Sequence, residues 1–146
     1  MKSLIIGYGN PYRRDDGFGW RVIETLKTEP VLDTEFIETL QLMPEMAEDI
    51  SHVSKVVFVD ASVEGIPGEV HVEKLHVEHR PPLNYTHYVA PQELLMMAEL
   101  LYGHKPEACL ITVTGQDFDL GEGLTAGVEQ AVPEVVEVIR GVIAEG

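Results

Sequence analysis

Apolar residues recur along this chain in two rhythms: short runs of β-favouring side chains, and longer stretches repeating at helical spacing. Residues 2–7 are an apolar run that predicts a buried strand, and residues 16–27 predict a helix. The stripe of that helix is Phe18, Val22 and Leu26, with Ile23 beside them. Residues 34–40 predict a second short strand, entered through a polar stretch around Asp33. Leu42-Met43-Pro44-Glu45-Met46 then begins a short helix that ends by Ser54. Pro44 suits its first turn, where a missing N–H costs nothing. Residues 55–60 carry the strongest strand signal: a run of β-favouring apolar residues there implies burial on both faces, as in a central parallel strand.

The second half continues the alternation. Gly65-Ile66-Pro67-Gly68 is a turn, and residues 69–75 alternate as a half-exposed strand. Pro81-Pro82 marks a loop running to about Val89. Pro91 opens a helix to Tyr102, with Leu94, Leu95, Ala98 and Leu101 on its core face. Residues 109–114 predict another buried strand, and residues 115–123 a loop holding Gly115, Gly121 and Gly123. A last helix spans residues 125–144, with Val128, Val132, Val135, Val136, Ile139, Val142 and Ile143 inward and Pro133 set to kink or restart it. Strands alternating with helices predict an α/β fold: a three-layer α/β/α sandwich around a mostly parallel sheet of about five strands. Residues 69–75 follow a tight turn and are expected antiparallel at an edge. Ligands of such sheets sit outside the carboxyl ends of the strands.

Composition narrows the field further. A chain of 146 residues is expected to form a single domain, residues 1–146, with 45% hydrophobic and 24% charged residues, as in ordinary globular proteins. No apolar run approaches the ~20 residues of a membrane span, and the first residues read as a core strand rather than a signal peptide. The lone cysteine, Cys109, excludes an intrachain disulfide and a multi-cysteine zinc site. A cytoplasmic protein is expected. The formal charge of −15 argues against nucleic acid or an anionic membrane as partner and is compatible with cations or a basic protein segment.

Candidate chemistry gathers where the first strand ends. Gly7-Tyr8-Gly9-Asn10-Pro11 breaks the apolar run, and Pro11 keeps the helix from starting earlier. Asp15 and Asp16 then fall at the N-cap or first turn of the predicted helix. One aspartate there is an ordinary cap. Two set like charges side by side unless a cation or proton is shared. Gly17 and Gly19 each cost roughly 1 kcal/mol relative to Ala inside a helix, which makes sense where the first turn lies close to another backbone or to a substrate. A dinucleotide-binding loop fits poorly, because Tyr12 stands where its third glycine belongs and two carboxylates would repel a pyrophosphate.

Asp60 ends the strongest strand on the same rim, where it either serves the following turn or joins a site. Two acids at one crevice suit either a carboxylate dyad or the oxygen ligands of a cation. His87, in the loop before the helix at Pro91, can face that rim too. His52, His71, His76, His79 and His104 read as surface residues, although His71, His76 and His79 together could chelate a metal incidentally.

Gly7-x-Gly-Asn-Pro-x-x-x-Asp15-Asp16-Gly17-x-Gly19, then Phe58-Val59-Asp60-Ala61, then His87 ahead of Pro-Gln-Glu-Leu-Leu, resembles the hydrogenase maturation endopeptidases. The likeness runs in the same order through the Gly-Glu-x-Leu-Thr segment before the last helix. It implies an endopeptidase that removes the C-terminal extension of a nickel–iron hydrogenase large-subunit precursor. It further implies that Asp16, Asp60 and His87 ligate a metal. That ion is nickel supplied by the precursor, with cadmium or zinc able to substitute in a crystal. Asp15 is the extra acid, orienting a ligand or capping the helix. Some members carry Glu where this chain has Asp16, which brings the metal nearer the helix. Gln41-Leu42-Met43-Pro44-Glu45 lacks a glycine pair found in some members and looks more like the branch serving bidirectional or cofactor-coupled hydrogenases. Two other readings are a nickel-checking chaperone that does not cut and a nucleotide-binding α/β domain.

Overall fold

The computed structural model describes residues 2–29, 31–77 and 89–145. Its elements are β1 (Ser3–Tyr8), a 3-10 turn (Arg14–Gly17), α1 (Phe18–Thr28), β2 (Thr34–Thr39), α2 (Met46–Ser51), β3 (Lys55–Ser62), β4 (Val70–Leu75), α3 (Pro91–Tyr102), β5 (Glu107–Thr114) and α4 (Ala126–Ala144). The strands form one five-stranded sheet in the order β2-β1-β3-β5-β4. Every neighbouring pair is parallel except β4 on β5, so the antiparallel edge strand is where the turn chemistry predicts it.

Alternation along the central strands divides the interior into two halves. Ile5, Val57, Val59, Ile111 and Val113 pack with α1 and α4 on one face. Leu4, Ile6, Val56, Phe58 and Ala108 pack with α2 and α3 on the other. Burial on both faces explains why β1 and β3 read as continuous apolar runs rather than alternating ones. The result is the expected three-layer sandwich.

Glycines bring α1 unusually close to the sheet. A Cβ on Gly19 would lie 2.6 Å from the Val59 carbonyl oxygen, and one on Gly7 would lie 2.5 Å from the Gly19 carbonyl oxygen. Gly17 similarly faces the Cα of Pro11, at 2.9 Å from where its Cβ would be. The helical cost of these glycines therefore serves approach to another backbone. Gly19→Ala is expected to destabilise the fold by about 1–3 kcal/mol through overpacking. Urea unfolding measures it, and an unchanged midpoint would contradict the contact.

Several expectations need correction. The first helix starts at Phe18, after a separate 3-10 turn that holds Asp15 and Asp16; its N-cap is Gly17, without a side-chain cap. Neither aspartate caps α1, because each carboxylate turns to other amides. Leu101 is 68% exposed, so the core face of α3 ends at Leu94, Leu95 and Ala98. Of the kink or restart expected at Pro133, the restart does not occur: α4 runs continuously through the proline. The inward residues on both sides of the proline pack on one core and hold the helix together.

Candidate active site at the carboxyl rim

The loop leaving β1 is shaped by its own hydrogen bonds. Gly9 has a φ of 137°, and a Cβ there would sit 2.1 Å from the Asp16 carbonyl oxygen, so the position admits only glycine. The Asn10 side chain accepts from the Tyr12 N–H at 2.9 Å, and the Asn10 carbonyl accepts from the Arg13 N–H at 3.0 Å. Asp16 closes the loop: its Oδ2 accepts from the Asn10 N–H at 2.7 Å. That bond fixes Asp16 at the mouth of the loop.

Asp60 reaches the same place from β3. It alternates with Val56 and Phe58 onto the α2/α3 side. The register pairs Gly7 with Val59, which sets Tyr8 beside Asp60 one step further on. Asp60 Oδ1 accepts from the Ala61 N–H at 2.8 Å, and the Tyr8 hydroxyl and the same carboxyl influence one another's ionisation. Burial pushes the Asp60 carboxyl up to about 7. The Ala61 amide opposes this, the Asp16 charge adds to it, and the Tyr8 hydroxyl opposes it. Burial also drives the Tyr8 phenol far above its ordinary range, with the Asp60 charge adding to the effect. The phenol thus holds its proton through neutral pH, whereas the carboxyl exchanges its proton there.

The Asp16 charge acts on Asp60, an arrangement that a cation bound beside the two acids would stabilise. Each acid spends one oxygen on a backbone amide and keeps acceptor capacity for a ligand. Tyr8→Phe removes a donor to the ionised form of Asp60. Its carboxyl titration, followed by carbon-13 NMR across neutral pH, is expected to move upward; an unchanged or lower midpoint would contradict the contact.

Asp15 occupies a different environment. It is fully buried, and its oxygens accept from the N–H groups of Thr125 (2.7 Å), Gln116 (2.8 Å) and Asp117 (3.0 Å), and from the Thr125 hydroxyl. Burial alone would push its carboxyl up, yet these donors together hold it below the usual carboxylate range. The helix end it serves is that of α4, whose N-cap is Thr125. Arg13 and Arg14 likewise meet the glycine loop. The Arg13 guanidinium donates to the Phe118 carbonyl at 3.4 Å, the Arg14 N–H to the Gly121 carbonyl at 3.0 Å, and Arg14 Nε stands 3.7 Å from Asp117.

His87 and His79 lie outside the described residues. The chain on either side of that segment, at Val77 and Val89, packs on the core half that also carries Tyr8. Among the described residues no three His, Cys, Asp or Glu side chains gather to hold a metal. His71 pairs with Glu69 at 3.2 Å, and His104 Nε2 contacts the Val53 carbonyl at 2.8 Å. Gly9 serves an approach within the loop itself, since the space beside it is taken by the Asp16 carbonyl. Sequence reasoning passed over Tyr8; its place in the β1 alternation, on the face of Leu4 and Ile6, was the available signal.

Comparison with known proteins finds relatives in sequence and in fold. A protein of Methanocaldococcus jannaschii, provisionally named a hydrogenase maturation protease, is 29% identical over 150 residues, spanning 96% of this chain and 95% of its own length. The hydrogenase maturating endopeptidase HybD of E. coli shares the fold with a TM-score of 0.80 at 22% identity, over 99% of this chain and 93% of its own. The [NiFe] hydrogenase maturation protease HycI of Thermococcus kodakarensis aligns with a TM-score of 0.75 at 25% identity, over 97% of this chain and 91% of its own. No family model matches the chain.

Proposed function

We propose that this chain, which stands with the hydrogenase maturation endopeptidases in sequence and fold, cuts the C-terminal extension from a nickel-loaded hydrogenase large-subunit precursor. The observation that carries the reading is the meeting of Asp16 and Asp60, from two separate elements, at the carboxyl rim of the sheet. The nickel belongs to the substrate. Asp16 and Asp60 supply carboxylate oxygens to it and His87 an imidazole, a mixed oxygen and nitrogen set that suits a first-row divalent ion. Recognition then depends on metal loading, so an empty precursor is left uncut.

Hydrolysis needs a group that takes a proton from the attacking water and returns it to the departing amine. A carboxylate close to the scissile bond suits both transfers, and Asp16 and Asp60 are the acids that stand at this rim. Tyr8 and the Ala61 amide orient Asp60. No helix among the described residues is long and apolar enough to cross a membrane, and we assign the reaction to the cytoplasm. The relation to bidirectional or cofactor-coupled hydrogenases rests on the residues around Pro44 alone.

Purified chain mixed with nickel-loaded precursor is expected to yield a shortened large subunit by intact-mass spectrometry. Nickel-free precursor should stay full length. Intact precursor in both tubes, with stable binding of the loaded form, would favour a non-cutting nickel-checking chaperone. His87→Ala is expected to lower cleavage by about a hundredfold or more, and a wild-type rate would remove His87 from the site.

A further inference from the structure

We infer that the loops of the carboxyl rim form a docking face for a polypeptide surface carrying large apolar side chains flanked by Lys or Arg. The inference rests on the proteolytic reading, since it describes how the precursor is held around Asp16 and Asp60. Among the described residues ten large apolar side chains are exposed, and five of them sit on rim loops: Tyr12, Leu40, Val63, Ile66 and Leu120. They follow β1, β2, β3 and β5, the four parallel strands whose carboxyl ends define the rim. Single exposed apolar residues are ordinary, but concentration at one end of a sheet is not.

These loops are joined into one surface. The Gly121 N–H donates to the Tyr12 carbonyl at 2.8 Å, linking the loops after β1 and β5. The Gly115 N–H donates to the Ser62 carbonyl at 2.8 Å, and the Thr114 hydroxyl to the Glu64 carbonyl at 2.7 Å, linking the loops after β3 and β5. The Gly9 N–H and the Trp20 indole N–H both donate to the Thr39 carbonyl, fastening the end of β2 beside Leu40. The five apolar side chains therefore stand on loops of the rim that carries the two acids, and hydrogen bonds hold those loops together.

Charge selects the occupant. Glu64 adjoins Val63, and Asp119 and Glu122 flank Leu120; no salt bridge joins a cation to any of them among the described residues, and the two cations of the β1 loop, Arg13 at the Phe118 carbonyl and Arg14 beside Asp117, leave the rim acids in excess. Two copies meeting rim to rim would set these carboxylates, with Asp16 and Asp60, against each other. A partner segment with apolar and basic side chains complements the face instead.

The test compares Ile66→Ser/Leu120→Ser with Leu100→Ser/Leu101→Ser, a control pair equally exposed at the far end of α3. Against nickel-loaded precursor of the same organism's hydrogenase large subunit, the rim pair is expected to raise KM about tenfold with kcat nearly unchanged. The control pair should leave both constants at wild-type values. Adding salt should weaken wild-type binding. An unchanged KM in the rim pair, or an equal rise in the control, overturns the docking face. Light scattering that finds a wild-type dimer and a monomeric rim pair also overturns it, in favour of a second copy. Calorimetry with an Asp60→Asn background reads precursor binding without cleavage. Wild-type chain that leaves the precursor uncut therefore refutes the proteolytic reading alone, and the rim is still judged by the binding loss.

Discussion

Asp60→Asn is expected to lose precursor cleavage by about a hundredfold or more while making the folded chain more stable at and above neutral pH. The two effects have one origin. Burial raises the Asp60 carboxyl from 3.8 to about 7, so the folded state holds a proton there that the unfolded state has released. Between those values the native state binds more protons than the unfolded one, and stability falls as pH rises. The loss is complete above about 7, where it amounts to on the order of 2–4 kcal/mol. Asparagine keeps an acceptor for the Ala61 N–H and carries no charge at any pH. The stability gap between variant and wild type should therefore open from about pH 4 to 7 and then level off. Urea unfolding across that range checks the stability, and mass spectrometry of the precursor checks the cleavage. A variant that cuts at the wild-type rate removes Asp60 from the chemistry; one whose stability tracks wild type at every pH removes the buried charge.

Asp15→Asn is expected to act in the opposite direction on stability, lowering it by about 3–5 kcal/mol. The carboxylate accepts three backbone N–H groups and a hydroxyl, whereas an amide turns an NH2 toward some of those donors. Because the folded carboxyl titrates below its ordinary value, its contribution is fully present above about 3.8 and is lost as pH falls through the lower, folded value. Wild-type chain should thus show an acid transition that the variant lacks. Should Asp15→Asn fail to fold, Thr125→Val removes the hydroxyl donor and keeps the amide bond, with an expected cost of about 1–2 kcal/mol. Wild-type unfolding midpoints in both variants would contradict this wiring.

The sheet was legible because its evidence is local. Runs buried on both faces mark β1 and β3, the Gly65–Gly68 turn marks the antiparallel edge, and the apolar stripe marks α1 from Phe18 onward. Placing Asp16 and Asp60 on one rim needed only the rule that parallel strands share a carboxyl end. What sequence could not give was the use of each oxygen. The bonds of Asp15 reach residues more than a hundred positions away, and no local pattern encodes a partner at that separation. The start of α1 was misjudged for a related reason: a helical stripe fixes which face is apolar, not whether the first turn is a 3-10 turn. Leu101 kept the helical spacing of the core face of α3, yet spacing does not say where the opposing layer ends.

The close approach of Gly7 to Gly19, and of Gly19 to the Val59 carbonyl, bears on where this molecule can change. A seam without side chains between α1 and the strands has no slack, so any larger residue there has to push the helix off the sheet. Residues such as Leu40, Val63 and Ile66 face open solvent and can be exchanged one at a time. Substitution at the rim can therefore retune what the molecule grips without disturbing the seat of α1 on the sheet.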